Sequence, residues 1–232
     1  VICLCHNQGA FVQEALASVY AQTYTNVELI IVDDASNDNS AALILNFIKN
    51  RNDTQFIKLT QNLGSCKAFN IALLKARGSY VIDLAADDVL LPTRIEVGIQ
   101  DFEKKGIAFG VHFSDAAIID ESGKYLHKHS DQFPHHGIPQ GDIYQAIIER
   151  YFICSPTMMF RKELLDELSG YDEALSYEDF DIWVRSSRTW KYCYSPEVLV
   201  QRRVVANSLS KKQFAMRSKH QHSTFRICQK IL

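Results

Sequence analysis

Apolar residues fall into short blocks and helical stripes that alternate along the first hundred positions. Residues 1–5 form an apolar run closed by the turn signal His6-Asn7-Gln8-Gly9. Phe11, Val12, Ala15, Leu16, Val19 and Tyr20 then recur at helical spacing. Residues 27–32 read as a buried strand stopping at Asp33-Asp34, and Asn37, Asp38 or Ser40 can cap the helix carrying Ala41, Leu43, Ile44, Phe47 and Ile48. Residues 56–59 predict a third strand. Gln61-Asn62-Leu63-Gly64 and a helix to about residue 77 follow, with Gly78 in the C′ role. Residues 80–84 predict a fourth strand that runs into Ala85-Ala86-Asp87-Asp88. Strand–helix alternation with short loops predicts an α/β fold with a mostly parallel sheet. Ligands of such sheets bind beyond the carboxyl ends of the strands, where His6-Asn7, Asp33-Asp34, Asn62 and Asp87-Asp88 all fall.

The second half is less regular. A helix is predicted over 93–104, strands over 108–114 and 118–119, and a hairpin turn at Glu121-Ser122-Gly123-Lys124. Residues 127–142 hold four of the eight histidines. His127-x-His129 and His135-His136 lack the i, i+4 spacing of a helical metal site, so a polar, mobile acceptor-side loop is expected. Helices are expected near 142–151, 162–168 and 179–188, and a strand near 193–200. Pro156-Thr157-Met158-Met159-Phe160 reads as a core strand, with a place near the acceptor side as the alternative.

Composition narrows the classes. With 47 % apolar residues and 11 % aromatics the chain has material for a core, which excludes a disordered or fibrous protein. No apolar run approaches the roughly 18 residues of a membrane-spanning helix. The net charge of −2 hides an asymmetry: residues 201–232 carry eight basic and no acidic residues, leaving residues 1–200 with 17 basic and 27 acidic. Nucleic-acid recognition is unsupported for so acidic a body. The six cysteines lie in apolar stretches without repeated spacing and read as reduced core thiols of a cytosolic protein. Val1 reads as the inside of a strand, so the chain is expected to be a fragment.

Two clusters carry candidate chemistry. Asp87-Asp88, at the end of a buried strand, suits Mg²⁺ or Mn²⁺ shared with a nucleotide diphosphate; the same pair could cap the next helix. Asp33-Asp34 could accept from a pyrimidine N–H or a ribose hydroxyl, or cap the next helix, which Asn37 to Ser40 can cap without it. Tyr177-Glu178-Asp179-Phe180-Asp181-Ile182-Trp183 is either a first turn made acidic by the helix dipole or a general base beside an apolar pocket formed with Phe180, Trp183 and Val184. Gly64 is the only glycine between Gly9 and Gly78, so neither G-x-G-x-x-G nor a P-loop is present, which argues against a nucleotide-dependent oxidoreductase.

The order of these pieces resembles the family 2 glycosyltransferases. The matching stretches are C-H-N-Q-G-A-F-V-Q-E-A-L through I-I-V-D-D-A-S-N-D-N-S, then N-L-G-S-C-K-A-F-N-I-A, A-A-D-D-V-L-L-P and S-G-Y-D-E-A-L-S-Y-E-D-F-D-I-W-V-R, in order across residues 1–210. The resemblance implies a GT-A fold: a Rossmann-like sheet with helices on both faces and a smaller acceptor-side subregion. It implies a catalytic domain over 1–210, with a nucleotide-sugar half (1–105) and an acceptor half (106–210), and sugar transfer to a hydroxyl with inversion. Residue by residue, Asp34 would contact the base with Asp33 beside it, and His6 next to Asn7 would stack where the family often has tyrosine. Asn62, Gly64 and Lys67 would border ribose and diphosphate. Asp87 would hold Mn²⁺ or Mg²⁺ with Asp88 as neighbour, and Asp179 would be the base with Glu178 supporting it. Two positions depart from the family pattern. Ala85 stands at the first position of D-x-D-D, and Arg202-Arg203-Val204-Val205-Ala206-Asn207 has Val204 where R-x-H-x-x-N has histidine. Arg202 or Arg203 could then hold the leaving diphosphate. The departures also motivate an alternative, a non-turnover nucleotide-sugar-binding or assembly domain of a larger glycan-synthesis protein. The expected partners are a nucleotide sugar, with uridine diphosphate as its carrier, and a glycan or lipid-linked acceptor. The expected location is the cytoplasm or the inner face of the cell membrane. Residues 211–232, with Phe214, Phe225, Cys228 and Leu232 near one face, read as a basic amphipathic helix for a membrane surface, the catalytic body or a neighbouring domain.

Overall fold

The computed structural model describes residues 1–51, 53–133, 137–205 and 219–231. The first half runs β1 (Ile2–Cys5), α1 (Val12–Tyr20), β2 (Leu29–Asp33), α2 (Ser40–Ile48), β3 (Thr54–Lys58), α3 (Ser65–Leu73), β4 (Tyr80–Val81), β5 (Asp83–Ala85) and β6 (Val89–Leu90). Strands β3-β2-β1-β5 make an all-parallel sheet in that order. Alternation sorts its side chains to two faces. Cys3, Cys5, Leu29 and Ile31 pack with Val12, Leu16 and Ile44 of α1 and α2. Ile2, Ile30 and Val32 pack with Cys66, Phe69 and Ala72 of α3. Both faces are covered, which explains the unbroken apolar runs of β1 and β2.

The second half supplies α4 (Arg94–Lys105), β7 (Phe109–Ile119), β8 (Tyr125–Lys128), α5 (Tyr144–Glu149), β9 (Met159–Arg161), α6 (Lys162–Glu167), α7 (Asp179–Ser186), β10 (Lys191–Arg203) and α8 (Lys219–Ile231). A second, mixed sheet runs β4-β9-β7-β10-β6, with β8 paired to β7. The periodicity did not separate this sheet from the first, and the single strand expected over 80–84 is in fact two. The chain changes sheets at Ile82: β4 pairs antiparallel with β9, and β5 pairs parallel with β1.

Other expectations are corrected. Helix α3 stops at Leu73, where the Lys75 N–H turns to the Ala72 carbonyl at 2.9 Å in a tightened turn, and the Arg77 amide beyond it donates to Glu28 Oε2 at 2.9 Å. Gly78 therefore fills no C′ role. Helix α2 is preceded by Asn39 without a side-chain cap, although Asp38 Oδ1 accepts the Ser40 N–H at 2.9 Å. The segment expected as a polar loop begins as β8 and a 3₁₀ turn, His129–Gln132, whose His129 is buried; His135 and His136 lie outside the described residues. Five cysteines are buried and Cys228 is exposed. The apolar face assigned to the basic tail is also different. Phe225 and Cys228 face outward, while Ser223 and Ile227 are buried. Lys230 turns α8 this way by pairing with Asp181 Oδ1 at 2.6 Å and Asp172 Oδ2 at 2.7 Å. Lys211, Lys212, Phe214, Arg217 and Leu232 lie outside the described residues. Among the described residues no helix is long and apolar enough to cross a membrane.

Two residues flanking the parallel sheet hold left-handed backbone without being glycine, Asn7 (φ 56°) and Ala35 (φ 55°). For alanine this costs about 1–2 kcal/mol. Gly64 has φ 86° and ψ 159°, a region open essentially to glycine alone. Chemical denaturation should find Ala35→Gly neutral or stabilising by up to about 1 kcal/mol, and Gly64→Ala destabilising by about 1–3 kcal/mol, although a Cβ at Gly64 meets nothing within 4 Å.

Candidate functional site

The carboxyl ends of β1, β2 and β5 converge on one edge, and their loops are tied by side-chain to backbone hydrogen bonds. Asn7 N–H donates to Ser36 Oγ (2.9 Å), Gln8 N–H to Ser40 Oγ (3.1 Å) and Gly9 N–H to Asp38 Oδ2 (3.0 Å), while Asn7 Oδ1 accepts from the Asn37 N–H (2.7 Å). These bonds account for the polar run over residues 36–40. The Asp34 carboxylate reaches the loop before α3: Oδ1 accepts the Leu63 N–H at 2.7 Å and Oδ2 the Gly64 N–H at 2.9 Å. His6 Nδ1 lies 2.7 Å from the Asp34 carbonyl oxygen, which can only accept, so Nδ1 carries the proton. His6 Nε2 then accepts from the Asn62 side chain at 3.1 Å. His6, Asn7, Asp34, Asn62 and Gly64 are thus brought together. Asp33 is fully buried one residue deeper, with neither carboxylate oxygen hydrogen-bonded among the described residues. Lys67 stands exposed on α3. A depression of about 340 Å³ lined by Ala35, Ser36, Asn37, Lys58, Leu59 and Thr60 adjoins the edge.

Asp87 and Asp88 differ in their surroundings. Asp88 is 4 % exposed and its Oδ1 accepts the Arg203 N–H at 2.8 Å, whereas Asp87 is half-buried. Burial pushes both carboxyls up, and the Asp87 charge helps to hold Asp88 near 8. Arg202 and Arg203 both favour the ionised carboxylates. The Arg203 guanidinium is committed to the framework: it pairs with Glu14 at 2.6 Å, lies over the Phe11 ring at 4.9 Å and donates to the Asp87 carbonyl at 3.0 Å. Arg202 is partly exposed and is the freer candidate for an anion. Among the described residues no three His, Cys, Asp or Glu side chains converge as a metal cage. A half-buried Asp87 with its charge under-compensated fits a hard cation that takes its remaining ligands from phosphate oxygens.

The acidic segment opens α7. Asp179 Oδ2 accepts from Ser155 Oγ at 2.8 Å and from the Tyr151 hydroxyl, and Asp179 Oδ1 accepts the Phe180 N–H at 2.8 Å. Glu178 Oε2 accepts from Ser65 Oγ at 3.0 Å, so the acidic segment is bonded to the residue immediately after Gly64. Burial, then the neighbouring Asp179 charge, raises Glu178 to about 7. Asp83 is pushed up by burial and by Glu178, and its Oδ2 accepts from Tyr171 at 3.1 Å. Asp181, 1 % exposed, is held by Arg185 and Lys230 and points away from any catalytic use. Sequence reasoning missed Asp83, although an acid inside the apolar run V-I-D-L was a visible signal. It also missed Tyr151, Ser155 and Ser65. No local pattern marks these three, because only the chain path after α5 and the α3–α7 packing bring them to the acids.

The family description "Glycosyl transferase family 2" matches residues 1–169. An uncharacterized glycosyltransferase of Rickettsia conorii is 30 % identical over 184 residues, covering 79 % of this chain and 29 % of the relative. The poly-beta-1,6-N-acetyl-D-glucosamine synthase of Staphylococcus epidermidis is 38 % identical over 100 residues, 43 % of this chain and 24 % of that enzyme. In three dimensions the chain is similar to S. aureus TarS 1–349 in complex with UDP-GlcNAc, with a TM-score of 0.73 and 18 % identity over 98 % of this chain and 64 % of that one. The mannosyltransferase PcManGT from Pyrobaculum calidifontis, in complex with GDP-Man and Mn²⁺, gives 0.73 and 16 % over 99 % and 62 %. These likenesses establish the GT-A fold. The chain spans less than a third of the Rickettsia conorii relative's length.

The raised Glu178 carboxyl has a consequence for stability. Its folded-state value of about 7 exceeds the ordinary 4.5, so the native protein binds the extra proton between those values. Its ionisation therefore removes stability as pH rises from about 4.5 through 7. Thermal melts of wild type and Glu178→Gln should diverge across that window, with the variant relatively more stable at pH 8 than at pH 5.

Proposed function

Because the chain belongs to glycosyl transferase family 2, we propose that this glycosyltransferase moves a sugar from a nucleoside-diphosphate donor, uridine diphosphate being the leading carrier, to a hydroxyl of a glycan or lipid-linked glycan, with inversion. One observation carries the reading: the Ser65–Glu178 hydrogen bond joins the loop held by Asp34 to the segment that presents Asp179. A donor seated on the His6–Asp34–Asn62 edge would meet a carboxylate fixed at its far side. Asp179 takes the proton of the acceptor hydroxyl as its oxygen bonds to the anomeric carbon. The bond to the diphosphate breaks with its electron pair, and the nucleoside diphosphate leaves. A single displacement from the face opposite the leaving group inverts the anomeric configuration.

Asp87 would hold a divalent cation, Mn²⁺ or Mg²⁺, with Asp88 behind it and Arg202 adding positive charge. When bound, such a cation neutralises charge that develops on the leaving diphosphate. His6 stacks on the base, Asp34 has lone pairs left for it, and Asn62, Gly64 and Lys67 border the ribose and phosphates. Ala85 and Val204, apolar where the family motifs are polar, favour a second reading: a domain that binds nucleotide sugar without turning it over.

Release of nucleoside diphosphate should be screened with uridine, guanosine and thymidine diphosphate sugars and either metal, beside calorimetry with uridine diphosphate. Turnover supports the enzyme reading, and binding without turnover across the panel supports the second. Asp179→Asn should lower kcat by about 10²–10⁴-fold while leaving nucleotide affinity unchanged. Because burial raises the Asp87 carboxyl, a proton competes with the cation there. Calorimetry should find that Mn²⁺-dependent uridine diphosphate binding strengthens as pH rises above the ordinary carboxylate range, and that Asp87→Asn flattens this rise.

A further inference from the structure

Asp179 carries more hydrogen-bond donors than a base awaiting substrate needs. Oδ1 is taken by the Phe180 N–H, and Oδ2 receives both Ser155 Oγ and the Tyr151 hydroxyl. An sp² carboxylate oxygen offers two lone pairs, so both positions on Oδ2 are filled. The Phe180 and Ser155 bonds suffice to fix the carboxylate. Phe180 is the next residue in the helix, and Ser155 sits in the 3₁₀ turn Ser155–Thr157 leading into the buried β9. Tyr151 differs from both: it follows the end of α5 and is 52 % exposed. Its ring rests on Trp183, 4.6 Å between centroids and tilted by 54°. Trp183 is itself 1 % exposed and anchored by an Nε1–H bond to Met158 Sδ at 2.9 Å.

We infer that Tyr151 is the acceptor-binding residue: its exposed ring is the platform for the acceptor's pyranose ring, and its hydroxyl holds the place on Asp179 Oδ2 that the attacking hydroxyl must take. The assignment rests on Asp179 being the base. A hexose presents an apolar face of C–H groups, and an exposed aromatic ring backed by a buried indole is a preformed surface for it. The platform is assigned to the acceptor because the Tyr151 hydroxyl sits on the base carboxylate itself, where the attacking hydroxyl has to arrive. On arrival the acceptor hydroxyl replaces the tyrosyl O–H and gives its proton to Oδ2, while Ser155 keeps the carboxylate aimed. With no acceptor bound, the tyrosyl hydroxyl keeps water off that position and so restrains wasteful donor hydrolysis.

Two variants separate the ring from the hydroxyl. Saturation-transfer NMR with a β-linked N-acetylglucosamine trisaccharide and an α-linked mannotriose reads the platform without any turnover. Wild type and Tyr151→Phe should bind at least one of them, and Tyr151→Ala should bind about tenfold more weakly, with uridine diphosphate affinity unchanged as proof of an intact fold. Donor hydrolysis without acceptor, followed with UDP-N-acetylglucosamine and GDP-mannose, should rise about threefold or more in Tyr151→Phe. The inference is overturned if wild type binds neither trisaccharide, if Tyr151→Ala binds like wild type, or if Tyr151→Phe hydrolyses an accepted donor at the wild-type rate. A one-sugar mass gain on Tyr151 after incubation with donor alone also overturns it, since the tyrosyl oxygen would then be the acceptor itself. Should wild type turn over neither donor, the proposed activity fails on that arm while trisaccharide binding still decides the platform.

Discussion

Residue 34 is the junction on which the donor edge depends. Its carboxylate is 6 % exposed, and a buried anion needs donors, which the Leu63 and Gly64 amides supply. Those amides open α3, where the helix dipole also favours a negative charge. Its carbonyl accepts the hydrogen bond of the His6 Nδ1–H, so one residue joins the loops after β1, β2 and β3. Charge-assisted bonds of this kind contribute about 1.5–3 kcal/mol each, enough to hold Asn7 and Ala35 in left-handed backbone that would otherwise relax. The strained loops and the Asp34 carboxylate therefore belong to one device, in which geometry at the edge is maintained by the bonds that Asp34 accepts.

From that junction order passes to the opposite wall. Gly64 is followed by Ser65, which bonds Glu178, which precedes Asp179. The acidic segment is braced from behind as well, since Asp181 receives Arg185 and Lys230. One short stretch of α7 thus separates three carboxyl groups by environment. Asp181 is neutralised by cations, Glu178 is held near 7 by burial, and Asp179 is loaded with hydroxyl and amide donors. Distinct surroundings for neighbouring carboxyls are what allow one of them to act as a base while the others support it.

Much of this was legible in the residues, for identifiable reasons. The strands β1, β2 and β3 and the helices α1, α2 and α4 follow from local periodicity, and the acids at the strand ends follow from the rule for parallel sheets. The sheet exchange at Ile82 was not legible, because a short apolar run looks the same whichever sheet it joins. The turn that ends α3 hands the Arg77 amide to Glu28, far away in sequence, which no local pattern shows. The orientation of α8 was set by ion pairs to Asp172 and Asp181, not by its own apolar spacing. At the site, Asp34, Asp87 and Asp179 stood out as acids in unusual company, whereas Tyr151 and Ser155 gained meaning only through proximity. The Arg202-Arg203 pair could not be divided from sequence, since only the packing of Phe11 and Glu14 commits Arg203 to the scaffold.

That commitment of Arg203 bears on the order in which the molecule can assemble during synthesis. Its guanidinium meets Glu14 across 189 residues, and its amide completes the shell of Asp88 across 115. The parallel sheet is made of segments that emerge early, but the loop carrying Asp87 and Asp88 lacks its closing partner until the end of β10 has been made. A nascent chain that has finished the first half would still hold this carboxyl pair without its clasp. Maturation of the Asp87–Asp88 loop is therefore a late event, governed by a contact of high sequence separation.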